Sequence, residues 1–388
     1  MTTHLLPIGP LEGILVADFT RVLAGPLCTQ LLADEGARVI KIEEPARGDE
    51  TRHWGPPFED DVATYFLAVN RNKESIAIDL RSDEGRALAH ALIERADVVI
   101  DNFLPSQRER LLDVPASKIH CSITGFDPDT PDANTPGYDL LAQAGAGFMS
   151  ITGNAEPTKI GVALADVLTA HYAHGAILAA LHAREKNCKG ARLEVSLFSA
   201  ALASLVNIAQ AALSTGSEAQ RFGNAHPSIV PYQVFHARDR VFAIGSGTDR
   251  QFRMLCERVI ARPDLIEPFA TNAVRVTNRE TLVPLLESIF ATNDAEHWVA
   301  RCRDANIPAS LVRGVLEALR SEEAKPLLAR LGDYETVGHP VRFDGQRLPV
   351  RTPPPKLGEH TEAITNELRT TTRTAARSRR AKPPRGRP

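Results

Sequence analysis

Residues that bind metals or form disulfides are scarce in this 388-residue sequence. Its five cysteines are widely scattered, and no Cys-x-x-Cys pair occurs. That number and spacing indicate neither a zinc site nor a disulfide framework, and they are typical of a protein in a reducing compartment. His171 and His174 have a spacing that metal ligands can use, but no third ligand lies near them in the sequence. We therefore predict that the protein binds no metal.

Long hydrophobic runs are also missing. The first residues, MTTHLLPIGPLEG, lack the basic segment and the apolar core of a secretory signal. No uncharged apolar run reaches the roughly 18 residues that span a bilayer. The nearest run, residues 196–213, contains serine, asparagine and glutamine and is typical of a buried helix. We expect a cytoplasmic protein that makes no contact with a membrane.

Acidic residues are absent after Glu367, where the sequence holds eight lysines and arginines. The rest of the chain has 37 basic and 48 acidic residues. A basic segment of this kind is typical of a solvated, disordered tail, so we predict disorder for residues 368–388. Because the tail has no aromatic residues and the body is acidic, we do not expect nucleic-acid binding.

Residues 1–125 alternate between two hydrophobic periods. Short β-branched runs predict strands at 13–19, 38–44, 75–80, 96–103 and 118–126. Helical patterns lie between them, including 24–36 and 82–96, and Ser82 is the expected N-cap of the second. Near-continuous apolar strands suit a parallel sheet that is covered on both faces. We predict an α/β protein with a Rossmann-like, doubly wound layer.

Two common nucleotide motifs are absent from this layer. The first strand–helix turn reads DFTRVLAGP and lacks G-x-G-x-x-G, and no G-x-x-x-x-G-K-[ST] occurs. The layer is therefore predicted to be neither a dinucleotide site nor a P-loop. Because open parallel sheets bind ligands at the C-terminal ends of their strands, we expect a different ligand at that edge.

The sequence changes character near residue 222, where Ala-rich helical patterns give way to a polar stretch with glycine, proline and aromatic residues. Before that point we predict helices over 136–153 and 159–186, a strand over 191–197, and a long helix that ends near Leu213. We predict that residues 1–221 begin a large domain, that 222–325 form a smaller α+β domain, and that 326–367 return to the large domain.

One carboxylate, Asp166, stands where the stretch KIGVALADVLTAHYAHGAILAAL becomes helical. Aspartate ahead of an apolar helix is commonly an N-cap. A carboxylate can also act as a nucleophile that forms covalent acyl intermediates. The two interpretations are compatible, since a helix N-terminus favours both a carboxylate and nearby anions.

Several stretches, taken in order between residues 10 and 365, together resemble one family. They are DFTRVLAGPLCTQLLADEGARVIKIE, NRNKESIAIDL, ADVVIDNFLPSQRERL, PGYDLLAQAGAGFMSITG, ALADVLTAHYAHGAILAAL, GNAHPSIVPYQVF and PPPKLGEHT. The sequence is similar to the class III CoA-transferases of the CaiB/BaiF type, a superfamily that includes formyl-CoA transferases and 2-methylacyl-CoA racemases. The resemblance implies a large Rossmann-like domain from both ends of the chain, a small domain from its middle, and a homodimer of two interlocked rings.

The resemblance also implies a reaction, the transfer of CoA from an acyl-CoA to a small carboxylic acid. CoA would be a substrate, and no cofactor would be tightly bound. Asp166 matches the aspartate that forms a covalent anhydride and then a thioester. The positions that match the stretches around CoA are Val22, Leu23, Ala24, Asn70, Asn72, Lys73, Asn102, Phe103, Arg110, Gly137, Tyr138 and Asp139.

Two alternatives stay open. A 2-methylacyl-CoA racemase would share the fold but move the α-proton with a histidine–aspartate pair, and no histidine lies between His120 and His171. A non-catalytic acyl-CoA-binding protein would not need Asp166. Among the transferases, three departures from the oxalate enzymes argue against oxalate as the acceptor. These are Leu23 in place of a glutamine, Glu44 in place of an arginine, and the lack of a glycine run after residue 222.

Overall fold

The computed structural model describes residues 9–380, with side chains for residues 9–370. The described chain divides into two compact units. Unit 1 contains residues 9–148, 160–216 and 326–380, and unit 2 contains residues 149–159 and 217–325. The sequence placed the inserted domain at 222–325. Unit 2 differs in starting at residue 217 and in including 149–159, which the sequence did not indicate.

Unit 1 is built from both strands and helices. In chain order, its strands are β1 (Leu15–Phe19), β2 (Arg38–Glu43), β3 (Phe58–Glu59), β4 (Val62–Ala63), β5 (Lys73–Ala77), β6 (Val98–Asp101), β7 (Ile119–Thr124), β8 (Ala191–Ser196), β12 (Leu328–Leu331), β13 (Tyr334–Val337), β14 (Arg342–Phe343) and β15 (Gln346–Arg347). Its helices are α1 (Ala24–Asp34), α2 (Thr64–Ala68), α3 (Asp83–Arg95), α4 (Pro105–Leu111), α5 (Asp139–Gly145), α7 (Leu164–Asn187), α8 (Leu197–Ala203), α9 (Asn207–Thr215) and α15 (Thr361–Arg380), with a 3-10 turn at Glu50–His53. A further 3-10 turn, Lys325–Leu327, begins at the last residue of unit 2 and ends in unit 1.

Unit 2 has its own sheet and its own core. Its strands are β9 (Tyr232–His236), β10 (Val241–Gly245) and β11 (Ala309–Leu311), which pair antiparallel in the order β11-β10-β9. Its helices are α10 (Asp249–Met254), α11 (Asn272–Thr277), α12 (Arg279–Phe290), α13 (Ala295–Asp304) and α14 (Val315–Leu319), with a π-helical turn at Leu255–Val259 and a 3-10 turn at Pro263–Leu265. The helix α6 (Phe148–Ile151) straddles the point where the chain passes from unit 1 to unit 2. Buried aromatic side chains, among them Phe242 and Phe290, fill the core of unit 2.

The large sheet of unit 1 is parallel throughout, in the order β5-β2-β1-β6-β7-β8. Its strand residues alternate between two cores, because successive side chains of a strand point to opposite faces. Val16 and Val98 pack in the core that contains α1 and α7, whereas Ala17 and Val99 pack in the core that contains α3 and α15. The predicted α/β class with a large parallel sheet is therefore confirmed, and the predicted cap of α3 is present, since Ser82 accepts the N–H of Gly85.

Two predicted helices are each divided. The helix expected over 136–153 is two short helices, α5 and α6. Gly147, which lies between them, has a φ of 91° and interrupts the helical backbone. The helix expected up to Leu213 breaks between α8 and α9 with a bend of 77°. Val206, at the start of α9, has a φ of 45°, which a continuous right-handed helix cannot accommodate.

The C-terminal segment differs from the expectation of disorder from residue 368, since α15 continues to Arg380 in the structure. Ile364 and Leu368 are buried in the core beside α3. These apolar contacts stabilise the helix, although its overall composition is basic. Residues 381–388, the rest of the predicted tail, lie outside the described residues.

By length and composition alone, α7 could cross a membrane, and so could α8 and α9 if the bent pair counts as one span. In the structure α7 is a core helix. Ala170, Ala173 and Ile177 on this helix are fully buried against the sheet and α1. Its apolar character is thus accounted for by packing within unit 1.

Candidate active site

A cavity of about 260 Å³ opens at the C-terminal edge of the large sheet. It lies where the strand order reverses, between β1 and β6, which is the usual place for a ligand in an open parallel sheet. The segments that follow β1, β6 and β7 contribute most of its wall. The lining residues are Arg21, Val22, Ala24, Glu50, Asn102, Phe103, Leu104, Gln107, Ile123, Thr124, Gly125, Pro136, Gly137, Tyr138, Asp166 and Leu197.

The structure brings together seven of the residues predicted for the site. Asp166 lines this cavity, and so do six of the positions predicted to surround CoA. Those six are Val22, Ala24, Asn102, Phe103, Gly137 and Tyr138. The other predicted positions, Leu23, Asn70, Asn72, Lys73, Arg110 and Asp139, lie outside its lining.

Asp166 is not the N-cap of its helix. The helix α7 begins at Leu164, so Asp166 is its third residue, and the N-cap is Ala163, which has no side chain able to cap. The cap interpretation of the sequence is therefore wrong. With only 9% of its surface exposed, Asp166 is a buried carboxylate at the wall of the cavity.

Asp139 supplies the cap that Ala163 cannot. Its Oδ1 atom accepts the backbone N–H of Ala165 at 2.8 Å, and its Oδ2 atom accepts from Nε2 of Gln143 at 2.8 Å. The fully buried Gln143 also accepts the N–H of Ile160 at 2.8 Å. Asp139, predicted as a CoA contact, therefore joins α5 to the start of α7 and fixes the position of Asp166.

Burial raises the pKa of Asp166 to about 7, and the nearby charge of Asp139 acts in the same direction. A hydrogen bond from the backbone N–H of Ala24 acts in the opposite direction. Ala24 is the first residue of α1, and the first N–H groups of a helix have no partner within it. The N-terminus of α1 thus faces the carboxylate and stabilises its charged form.

The loop between β1 and α1 is held in an unusual conformation. Val22 has a φ of 73°, which is rare for a β-branched residue. Asn102 fixes the neighbouring peptide groups, since its Nδ2 donates to the carbonyl of Arg21 at 2.8 Å and its Oδ1 accepts the Arg21 N–H at 3.2 Å. Asn102 therefore shapes the wall of the cavity through the backbone.

A close approach of two glycines positions Tyr138. A Cβ atom on Gly137 would lie 2.2 Å from the Cα of Gly125, and one on Gly125 would lie 2.5 Å from the Cα of Gly137. Only glycine fits at both positions. Tyr138 follows directly and is 54% exposed, so its ring stands at the rim of the cavity.

Lys73 contradicts its predicted role. Its side chain is fully buried, and Nζ donates to the Pro26 carbonyl and to Asn70 Oδ1, both at 2.9 Å, and lies 3.3 Å from an oxygen of Asp18. Burial lowers the pKa of Lys73 to about 8, although Asp18 acts to raise it. An ammonium enclosed in this way cannot reach a phosphate, so we correct the prediction that Lys73 binds CoA directly.

Asn70 and Asn72 are also structural. Asn70 is fully buried and donates to the Phe66 carbonyl at 3.0 Å. Asn72 has a φ of 62°, donates to Asp34 at 2.7 Å and accepts the N–H of Arg351 at 2.7 Å. Both amides are occupied by the protein, which corrects their assignment to CoA.

A second cavity of about 480 Å³ lies beside the first and shares Arg21, Phe103 and Gln107 with it. Arg110 is exposed and lines this second cavity. Apolar side chains of Ile42, Ile78 and Leu80 line it together with the charged Glu44, Asp79 and Arg81. Leu23, the N-cap residue of α1, is half-buried and lines neither cavity.

Sequence reasoning missed Arg21, Glu50 and Gln107 in the first cavity. Arg21 and Gln107 lie in stretches that follow predicted strands. Because open parallel sheets bind ligands at the C-terminal ends of their strands, these two residues could have been predicted. Glu50 is on a 3-10 turn, and no local pattern marks it. As for metals, the described residues contain no group of three or more histidine, cysteine, aspartate or glutamate side chains suited to hold an ion.

Comparison with known proteins identifies the family of this chain. The model of CoA-transferase family III matches residues 11–361. The chain belongs to this family. It is 38% identical over 379 residues to succinyl-CoA:glutarate CoA-transferase of Mus musculus, an alignment that covers 92% of this chain and 86% of the mouse protein. It is 37% identical to acetyl-CoA:oxalate CoA-transferase of Acetobacter aceti, with 95% and 98% of the two chains covered.

A solved structure is similar over the same length. The crystal structure of a CaiB/BaiF family protein from Brucella suis has a TM-score of 0.84 and 38% sequence identity, and the match covers 93% of this chain and 99% of that chain. These relatives are named CoA-transferases, which supports the general CoA-transfer function that the sequence resemblance implied.

Proposed function

We propose that this protein moves CoA from an acyl-CoA to a free carboxylic acid through covalent intermediates on Asp166. The observation that carries the proposal is a single one. A buried aspartate with a raised pKa lines a cavity at the point where the sheet reverses its strand order, and a helix N-terminus faces it. Carboxylates with a shifted pKa in such cavities are frequently catalytic.

The steps balance without any further reactant. The Asp166 carboxylate attacks the acyl carbonyl of the donor, which gives a mixed anhydride and CoA thiolate. The thiolate attacks the aspartyl carbonyl, so an aspartyl-CoA thioester forms and the donor acid leaves. The acceptor carboxylate then attacks this thioester and regenerates an anhydride and a thiolate. Attack of the thiolate on the acceptor's carbonyl gives the new acyl-CoA and restores Asp166.

The environment of Asp166 favours this sequence. Burial and the charge of Asp139 raise its pKa because they destabilise the carboxylate anion. Both covalent intermediates are uncharged at this side chain, so forming them removes the buried charge. The Ala24 N–H, already directed at the carboxylate, can donate to the oxyanion of each tetrahedral intermediate.

For CoA itself, the two adjoining cavities suggest one path. The strands of the large sheet follow the order third, second, first, fourth, fifth, sixth, which is the Rossmann order. We place the nucleotide part in the larger cavity, with Arg110 near its phosphates. The pantetheine arm would pass Arg21, Phe103 and Gln107, which line both cavities, and bring the thioester to Asp166.

The names of the relatives suggest the substrates. Besides the mouse protein, a relative from Agrobacterium fabrum that is 37% identical over 94% of this chain is named succinate–glutarate CoA-transferase. We propose succinyl-CoA as the donor and a dicarboxylic acid as the acceptor. The departures at Leu23 and Glu44 still argue against oxalate.

We also propose the homodimer of interlocked rings in the cytoplasm that the resemblance implies. Within unit 1, α9 supports a buried interface, because this apolar helix has no buried residue and Leu213 is 80% exposed. An apolar helix that buries no residue within its own chain is typical of a surface that another chain covers. Sedimentation at micromolar concentration would test this, and a stable, active monomer would contradict it.

The racemase alternative has less support. None of the described residues that line the 260 Å³ cavity is a histidine, whereas proton transfer at the α-carbon would need a base and an acid on either side of it. A protein that only binds acyl-CoA would gain nothing from a buried carboxylate at the thioester end.

The deciding experiment combines substitution with chemical trapping. Asp166→Asn should abolish transfer between succinyl-CoA and glutarate, because an amide cannot form the anhydride. Incubation of the wild type with succinyl-CoA and then hydroxylamine should convert Asp166 to a hydroxamate, found by peptide mass spectrometry. An active Asp166→Asn enzyme, free of deamidation, would disprove the covalent mechanism. Exchange of the α-proton into solvent without CoA transfer would favour the racemase.

A further inference from the structure

Beneath the loop that precedes α1, Lys41 and Asp49 form an ion pair at the wall of the 480 Å³ cavity, and the proposed chemical steps do not use it. Nζ of Lys41 lies 2.9 Å from Oδ2 of Asp49, and both side chains have no exposed surface. A buried pair of this kind costs desolvation free energy that its attraction repays only when the geometry is good. The contacts of the two residues indicate what the pair does.

The pair holds one loop at two backbone positions. Lys41 Nζ donates to the carbonyl of Thr20 at 2.8 Å. The Val22 N–H donates to the Asp49 carboxylate, with 3.2 Å to Oδ1 and 3.3 Å to Oδ2. Charged groups form stronger hydrogen bonds than neutral ones. Lys41 and Asp49 thus fix the carbonyl before Arg21 and the N–H after it.

The loop needs such support because its backbone is strained. Val22 has a φ of 73°, a conformation that is unfavourable for a non-glycine residue and persists only where its surroundings impose it. Val22 and Ala24 line the same cavity as Asp166. A relaxed Val22 would turn the start of α1, and the Ala24 N–H would no longer face the carboxylate.

We propose that Lys41 and Asp49 are positioning residues, which hold the Thr20–Val22 loop so that the N-terminus of α1 stays directed at Asp166. The inference rests on the proposed role of Asp166 as the nucleophile. Asp49 also has a structural role, because it caps the 3-10 turn by accepting the Thr51 N–H at 3.0 Å. The test must distinguish the two roles. A control for lost stability is therefore essential.

The chain offers a matched control at the other end of α1. Asp34 and Arg71 form a buried ion pair, with Arg71 Nε 3.0 Å from Asp34 Oδ1 and side chains only 3% and 5% exposed. Neither side chain touches the Thr20–Val22 loop in the described contacts. Asp34→Asn removes the charge of a buried pair, as Asp49→Asn does, but leaves the loop intact.

The test compares Asp49→Asn and the double variant Lys41→Met/Asp49→Asn with Asp34→Asn. The double variant leaves no unpaired buried charge, so it keeps the test valid if Asp49→Asn does not fold. We expect kcat to fall about tenfold or more in both loop variants. KM for succinyl-CoA should change by less than about threefold, because neither side chain exposes any surface to the 480 Å³ cavity that both residues line. Amide hydrogen exchange of residues 20–24 should become faster in both. Asp34→Asn should lose stability and keep wild-type kcat and exchange in this loop.

A rescue separates positioning from loss of packing. Glycine adopts a φ near that of Val22 without steric cost. Adding Val22→Gly to the double variant should therefore raise its kcat about threefold or more. Wild-type kcat and exchange in the double variant, or a kcat loss in Asp34→Asn of the same size, would overturn the proposal, as would a lack of rescue. If Asp166→Asn proves active, the covalent mechanism fails, whereas the exchange measurement still decides whether the pair holds the loop.

Discussion

Asp139 caps the helix that carries Asp166 and at the same time raises the pKa of Asp166. Its Oδ1 atom accepts the N–H of Ala165 at 2.8 Å, and its negative charge adds to the effect of burial on the neighbouring carboxyl. One side chain thus sets both the position and the basicity of the nucleophile. The two effects can be separated, because an asparagine can accept the same hydrogen bond without the charge.

Asp139→Asn should move the acid limb of the pH profile to lower pH. The wild-type limb in kcat/KM should lie near the pKa of about 7 that burial and Asp139 produce at Asp166. Removal of the neighbouring negative charge makes Asp166 easier to ionise, so the limb falls below that value. It should stay above the ordinary aspartate range because burial, the largest cause, is unchanged.

Asp139→Ala is the control for this shift. It removes the same charge and also the cap of α7, so it should move the limb similarly and cost about 1 kcal/mol of stability in addition. Initial rates with succinyl-CoA over a range of pH, with unfolding measured in parallel, provide both readouts. A limb that stays in place in Asp139→Asn would show that the Asp139 charge does not act on Asp166.

Asp166→Asn should be inactive yet more stable than the wild type at alkaline pH. The folded pKa of Asp166 is raised from 3.8 to about 7. Between these values the unfolded chain ionises Asp166 while the folded chain keeps the proton, so the free energy of unfolding falls as pH rises. Above about pH 7 the penalty is complete, on the order of a few kcal/mol.

The measurement is urea unfolding of the two proteins at about pH 8 and about pH 4. Asparagine carries no charge and so avoids the penalty, which predicts a gain for Asp166→Asn at the higher pH and almost none at the lower. Equal stabilities at both values would mean that the Asp166 carboxylate is solvated in the folded protein.

Lys73→Ala should reduce stability and act on CoA binding only through the fold. It removes the ion-pair partner of the fully buried Asp18, and breaking a buried pair typically costs about 3–5 kcal/mol, so we expect a loss of about that size. Arg110→Ala is the contrast, since Arg110 is exposed in the 480 Å³ cavity. It should weaken CoA binding with little change in stability, and more so at low salt.

Unfolding curves and calorimetric titration with CoA distinguish the two. A Lys73→Ala protein that keeps wild-type stability and loses CoA affinity would restore the prediction made from the sequence. An Arg110→Ala protein with unchanged affinity would remove Arg110 from the proposed phosphate site.

Lys73 also illustrates where the sequence stops being informative. Runs of β-branched residues predicted five of the six strands of the large sheet, because a near-continuous apolar run is a local property of the chain. Whether Lys73 reaches solvent depends on Asp18 and Pro26, which lie 55 and 47 residues earlier in the chain. No local pattern carries that information.

The same limit applies within the site. The family resemblance identified Asp166, but nothing near it in the sequence shows that Asp139 caps its helix from 26 residues away or that the N-terminus of α1 faces it. The break between α8 and α9 was missed for a different reason. It contains neither glycine nor proline, and Val206 takes a φ of 45° in a run that is otherwise helical in composition.

Gly137→Ala should impair both stability and activity, because the added methyl group would lie 2.2 Å from the Cα of Gly125. A backbone atom at that distance cannot rotate away, so the chain at Gly137 must shift and take Tyr138 and Asp139 with it. Overpacking of this kind costs about 1–3 kcal/mol. Since Asp139 holds the N–H of Ala165, the shift reaches Asp166, and kcat should fall about tenfold or more.

Gly145→Ala is the matched control, at the end of the helix that starts with Asp139. A Cβ atom there would lie 3.6 Å from the ring of Phe198, an ordinary contact, so stability and kcat should stay near those of the wild type. Thermal unfolding and steady-state rates of the two variants complete the test. If Gly137→Ala matched Gly145→Ala in both, the approach of Gly137 to Gly125 would not be what positions Asp139 and, through it, the nucleophile.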